Sequence, residues 1–271
     1  MSNPRANDSR LATEVPMSHL MPWSPTRRTL NGLVLALPWW RVRQEREVQR
    51  TAGGEPHFVA PPGEPSEALR ARVAELEKLL LAGKTKTNEV LLDPATDELR
   101  PYPLFRELIA RHAREPRAQL TPKGEPGTPL VSALTIVDAQ GQPYRDVRVY
   151  AYQTSSKGWY AAEAPHVSGN SGDTKFARLF AYARTDTEGR CELVGVRPAP
   201  YPRTDLPSHI HLHLEGRDGD LRVTELRFED CPKMTPAERV ASEKSGYVVV
   251  PVALAADGSA RCSAEFRLPR A

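Results

Sequence analysis

Six residues constrain the fold of this chain more than any others: His209-Ile210-His211-Leu212-His213-Leu214. Imidazole and aliphatic side chains alternate without a break, which is the period-two pattern of a strand with two unlike faces. On a helix the two kinds of side chain would intermix around the cylinder. In a strand His209 and His211 point to one side about 6.5–7 Å apart, a span that two imidazoles can close onto one metal ion. Two histidines at i and i+2 are also ordinary strand residues. Here three of the chain's 7 histidines fall within five positions, and that density marks the strand as a candidate site.

Just upstream, Tyr201 lies between Pro200 and Pro202, and Pro202 and Pro207 bracket a short loop that brings the tyrosine toward the start of the strand. A phenolate and two imidazoles form a carboxylate-poor N/O set, which suits iron more than calcium or magnesium. His213 shares the imidazole face beyond the pair. It is a candidate to orient a ligand or touch a substrate.

The rest of the carboxy-terminal half repeats the strand signal. Leu130–Ala139, Val147–Gln153, Leu179–Arg184, Cys191–Val196, Ser208–Glu215, Leu221–Phe228, Tyr247–Leu254 and Arg261–Leu268 are short strand-like runs. Gly141, Gly158, Gly189, Gly219 and Gly258 punctuate them. Turn-separated short strands of this kind predict a mainly β fold, an antiparallel β-sandwich. The 26 prolines agree with loops and strands rather than long helices. Neither a βαβ rhythm nor a GxGxxG motif is read, so no nucleotide cofactor is expected.

Two helices are predicted before the β region. Leu69, Val73, Leu76 and Leu80 form a stripe over Ser66–Leu81, with Ser66 as cap and Gly83 near the stop. Pro103–Ala113 places Leu104, Leu108 and Ile109 on one face. These stripes predict an N-terminal helical extension that covers one side of the β core or a subunit partner, which leaves a homodimer open. The expected organisation is therefore an arm over 1–65, a helical extension over 66–120 and a β domain over 121–271.

Within the arm, Arg27-Arg28 precedes the apolar run Leu33–Leu37 and Trp39-Trp40. This resembles a twin-arginine export signal, with Met17 or Met21 as a start nearer to it, and implies a periplasmic location. A basic arm with an accidental apolar patch, in a cytoplasmic chain, is the other reading. The run is too short to span a bilayer. A net charge of +3, without a basic run interleaved with aromatics, speaks against nucleic-acid binding. Cys191, Cys231 and Cys262 form no CxxC, so neither a zinc ribbon nor a redox pair is expected. One disulfide with a free thiol, or three thiols, are both compatible with them.

Arg197-Pro198-Ala199-Pro200-Tyr201-Pro202, Pro207-Ser208-His209-Ile210-His211 and Val223-Thr224-Glu225-Leu226-Arg227-Phe228 resemble, in that order, the iron-binding core of the intradiol ring-cleavage dioxygenases. Lys157-Gly158-Trp159-Tyr160 is similar to the segment that carries that family's other tyrosine ligand. The resemblance spans about residues 120–230. It implies Fe(III) held by Tyr160, Tyr201, His209 and His211, with an aromatic diol and O2 as partners. Ring cleavage between the two hydroxyl-bearing carbons would follow, with Tyr160 leaving the metal to take one of the diol's protons. Asp138–Tyr150 and Asp186–Arg190 also occur in prealbumin-like sandwich modules that only bind or space, and say nothing of catalysis.

The sequence departs from the family pattern twice. Leu206 stands where the family has an arginine, and Glu225 where a glutamine is usual. Arg203, on the same loop, is the candidate replacement for the missing charge. Losing a cation and gaining an anion both oppose stabilisation of an electron-rich ring. These departures favour a metal-retaining binding module as the alternative to the enzyme. A divalent-metal hydrolase on the His-rich strand ranks last, because no HExxH helix or carboxylate cluster accompanies it. His166 is a loop histidine that could line the pocket.

Overall fold

The computed structural model describes residues 63–162, 176–217 and 219–269. The proposed export signal, nearly all of the 1–65 arm and His166 lie outside the described residues. No helix among the described residues is long and apolar enough to cross a membrane.

Helix α1 (Glu67–Leu81) starts where Ser66 Oγ accepts a hydrogen bond from the Leu69 amide, 3.3 Å away. It stops before Gly83, whose φ of 64° suits a residue without a Cβ. A short α2 (Thr87–Leu92) and a 3-10 turn (Pro94–Leu99) lead to α3 (Pro103–His112), which has Pro103 at its first turn. Leu91, Leu99, Phe105 and Leu108 belong to the same buried cluster as the strands, so the helices cover the β core.

The strands are β1 (Arg117–Gln119), β2 (Pro129–Val137), β3 (Arg148–Gln153), β4 (Leu179–Arg184), β5 (Arg190–Val196), β6 (His209–Glu215), β7 (Leu221–Phe228), β8 (Val248–Val250), β9 (Ala253–Leu254) and β10 (Ala260–Arg267). They form two five-stranded sheets, ordered β1-β5-β2-β10-β9 and β4-β3-β6-β7-β8. The expectation of a purely antiparallel arrangement is corrected: β1–β5, β2–β10 and β7–β8 pair in parallel, so both sheets are mixed. Parallel neighbours need a returning connection rather than a hairpin, and periodicity within a strand carries no trace of that.

One such connection is helix α4 (Pro236–Lys244) between β7 and β8, a single βαβ unit that the sequence reading passed over. Thr235 caps it, its Oγ1 accepting from the Glu238 amide at 3.1 Å. The predicted strand Tyr247–Leu254 is two strands: β8 pairs with β7 and β9 with β10. Pro251, with no N–H to donate, sits at the break between the sheets.

The histidine strand β6 is the middle strand of its sheet. Ile210, Leu212 and Leu214 face inward and are fully buried beside Val149 and Ala151. Each such side chain stabilises the fold by about 1.5–3 kcal/mol. A one-residue slip would turn them out and drive three imidazoles into the apolar core. The aliphatic triplet therefore fixes which way the histidines face.

Candidate metal centre

On the outer face of that sheet, four side-chain atoms converge. His211 Nε2 lies 2.8 Å from Tyr160 Oη, 3.2 Å from Tyr201 Oη and 3.0 Å from His209 Nε2. Tyr201 Oη is 2.9 Å from His209 Nε2, and the two phenol oxygens are in direct contact. The structure thus brings Tyr160, Tyr201, His209 and His211 together from three separate parts of the chain.

The two tyrosines meet because the loops that carry them are stitched to each other. Thr154 Oγ1 donates to the Ala199 carbonyl (2.8 Å), and the Ala199 amide donates to the Ser155 carbonyl (3.0 Å). Gly158, two residues before Tyr160, has φ +78°, and a Cβ there would stand 2.3 Å from the Pro200 carbonyl oxygen. Only glycine allows this approach, and the approach is what sets Tyr160 against Tyr201. Lys233 Nζ donates to the Tyr201 carbonyl (2.8 Å) and tethers the other side of the loop.

The proton positions favour a cation. His209 Nδ1 is 2.7 Å from the Pro207 carbonyl, which can only accept, so Nδ1 carries the proton and Nε2 presents a lone pair. His211 Nδ1 faces the Glu225 carboxylate at 3.5 Å, an acceptor that favours the proton on Nδ1 and the lone pair on Nε2. Burial, helped by His209, His213 and Arg227 against the pull of Glu225, lowers His211 to about 3 and keeps it neutral. Burial, Tyr201 and Tyr152 hold the Tyr160 phenol well above its ordinary range, so a phenolate there requires a cation in contact. Two imidazole lone pairs and two phenol oxygens facing one another make a donor set that fits iron.

Glu225 is close by, and His209, His211 and Glu225 place potential ligand atoms within 4.8 Å of one another. Its approach is to Nδ1 of His211, the nitrogen turned away from the cluster, so it stands behind the ring. Its other oxygen accepts from Arg227 Nε (2.8 Å) and pairs with Nη2 (2.7 Å). Arg227 Nη1 continues to Glu238 Oε1 (2.5 Å) and Ser242 Oγ (2.9 Å) on α4. Burial opposes ionisation of Glu225, but its imidazole neighbours and the Arg227 guanidinium, which also donates a hydrogen bond to it, hold it down to about 2.

Glu225 therefore arrives with its own counter-ion, which offsets the negative charge that replaces the family's glutamine. Arg227 was not singled out by the sequence reading. The signal was present, since residues 225 and 227 share one face of a strand and carry opposite charges.

Arg203 is exposed, with φ 63°, and forms no hydrogen bond or ion pair among the described residues. Leu206 is half-buried and packs against the core. His213 lies outside the four-atom cluster, edge-on to Tyr150 (5.4 Å) and Tyr152 (5.8 Å), and burial lowers it to about 4. Tyr150 also accepts from Arg106 Nη1 of α3 (2.9 Å), so the helix layer closes over this face. Cys191, Cys231 and Cys262 are free and buried, the three-thiol alternative.

A family model described as Dioxygenase matches residues 101–268. The chain belongs to this family, the intradiol ring-cleavage dioxygenases that its tyrosine and histidine motifs resemble. Similar solved structures include 3-chlorocatechol 1,2-dioxygenase from Rhodococcus opacus 1CP, at 18% identity over 75% of this chain and 97% of that one, with a TM-score of 0.45. Catechol 1,2-dioxygenase from Acinetobacter sp. ADP1 is 17% identical over 76% and 79% of the two chains, with a TM-score of 0.46. The dioxygenase domain of a carbohydrate-binding fusion protein from Streptomyces sp. SirexAA-E is 20% identical over 59% and 90%, with a TM-score of 0.44. No curated protein matches the chain.

Proposed function

We propose that this chain is a non-haem Fe(III) dioxygenase that opens a catechol-like ring between its two hydroxyl-bearing carbons. Both atoms of O2 enter the product, a muconate-type diacid, so the atoms balance without a further reductant. The observation that carries this reading is the buried convergence of Tyr160, Tyr201, His209 and His211 on the central strand. In this reading those four hold the iron. Ferric iron supplies there a Lewis acid and template for both oxygens of the diol.

The protein's own groups divide the remaining work. His209 and His211 bind as neutral imidazoles. Tyr160 Oη takes one proton from the diol, because a phenol held well above its ordinary range is a strong base once it leaves a cation. Arg203 is the cation on the ligand-bearing loop with no partner among the described residues, so it is available to charge developing on the ring. Arg227 is committed to Glu225 and Glu238.

We further read the two packed sheets as a prealbumin-like sandwich, 66–120 as its helical extension and 121–271 as its β domain. The arm would export the chain to the periplasm through Arg27-Arg28, and the helices would support a homodimer. Replacing Arg27 and Arg28 by lysine would then trap the chain in the cytoplasm, and an unchanged location would end the export idea.

Leu206 favours a second reading, a binding module that keeps the metal without cleaving rings, because its apolar contact with the core occupies the family's cationic position. Oxygen uptake by iron-loaded protein separates the two. The enzyme consumes one O2 per ring opened with some hydroxylated or carboxylated catechol, and the binding module consumes none.

A further inference from the structure

The two histidines of the site are supported differently. His209 Nδ1–H donates to a neutral acceptor, the Pro207 carbonyl. His211 has a carboxylate at its back, Glu225 Oε1, 3.5 Å from Nδ1. The pairing is built into the sheet, because His211 stands directly opposite Glu225 and His209 opposite Arg227 on β6 and β7.

We infer that Glu225 is a positioning residue for His211, a carboxylate that orients the imidazole and raises its donor strength toward the metal, with Arg227 as the clamp that holds it. This inference rests on reading His211 as an iron ligand. Glu225 and Arg227 side chains are only 8% and 5% exposed, too buried for the pair to be a solvent-facing ion pair. Arg227 engages one carboxylate oxygen, Oε2, and leaves Oε1 to the imidazole. Its own position is set by Glu238 and Ser242 of α4 and by the Tyr247 ring, 4.4 Å from the guanidinium carbon.

The chain thus reaches His211 through a relay of three elements: α4 fixes Arg227, Arg227 fixes Glu225, and Glu225 fixes the ring. Ligating imidazoles backed by a carboxylate bind metal more tightly and donate more charge than those backed by a neutral group. The two site histidines are therefore unequal donors, with His211 the stronger. A direct ligand role for Glu225 would require it on the Nε2 side, where Tyr160 and Tyr201 already stand.

The test compares iron-loaded wild type, Glu225→Gln and His211→Ala by visible spectrum and by iron retained against a graded chelator. Glu225→Gln keeps the shape and removes the charge. Expected are a tyrosinate-to-iron band moved to lower energy, because the iron becomes a stronger acid, and retention weakened about 10–100-fold. His211→Ala should lose iron and colour outright. If His211→Ala strips the iron while Glu225→Gln leaves both band and retention unchanged, the positioning role is overturned and the ligand reading stands. If His211→Ala keeps full iron and colour, the ligand reading itself falls. Should Glu225→Gln not fold, Glu225→Asp keeps a carboxylate for Arg227 while withdrawing it from the imidazole, and is read the same way.

Discussion

The imidazole of His211 lies almost parallel to the phenol ring of Tyr152, with centroids 4.5 Å apart and planes 12° from each other. The two residues face each other across β3 and β6. Tyr152 in turn stacks on Tyr150 (5.3 Å), and Tyr150 on Tyr182 (4.6 Å), so the His211 ring is the end of an aromatic ladder. Tyr152→Ala should lower stability by about 3–5 kcal/mol, the scale for emptying a buried aromatic site. Tyr152→Phe keeps the stack and should cost much less. Denaturant unfolding of the metal-free variants measures both, and equal losses would remove stacking as the cause.

Gly158 is the second point of leverage. Gly158→Ala would place a Cβ against the Pro200 carbonyl at a backbone angle that side chains rarely adopt. The expected loss is about 1–3 kcal/mol from backbone strain alone, with more from the clash. Because the close approach seats Tyr160, the variant should also bind iron more weakly. A variant with native melting and native iron retention would show that the two loops are not mutually fixed.

Arg203→Ala tests the replacement charge. If Arg203 stabilises the ring only as charge develops, turnover should fall about ten- to a thousand-fold with iron content unchanged. Unaltered turnover would remove Arg203 from the mechanism and leave the metal centre as it is.

The buried thiols give a pH prediction independent of the site. Burial, with Asp186 and Glu192, raises Cys191 to about 12 from an ordinary value of 9.0. The folded form therefore holds this proton longer than the unfolded chain, and stability falls as pH rises from about 9 toward 12. Native protein at pH 8 should leave all three cysteines unreacted with a thiol reagent, and denatured protein should expose three. Fast reaction of Cys191 in the native state would contradict its burial.

Legibility in the sequence followed the range of each interaction. The β6 alternation was readable because a central strand with unlike faces writes its geometry into consecutive residues. Tyr201 was readable from its flanking prolines, whereas Tyr160 could be picked from the neighbouring Tyr150, Tyr152 and Tyr182 only by resemblance. The structure explains that resemblance through Gly158 and Pro200, two residues 42 positions apart that must touch. The parallel pairings, the three-residue strand β1 and the path from α4 to Arg227 depend on long-range returns of the chain, and these leave no local period to read.

The visible spectrum of the iron-reconstituted protein, taken with its iron content, tests directly whether Tyr160, Tyr201, His209 and His211 hold Fe(III). About one iron per chain is expected, with a reddish tyrosinate-to-ferric band that Tyr201→Phe weakens and shifts and that His209→Ala abolishes together with the iron. A protein that stays colourless with Fe(III), or whose colour survives the loss of both Tyr160 and Tyr201 as phenylalanine, would contradict it.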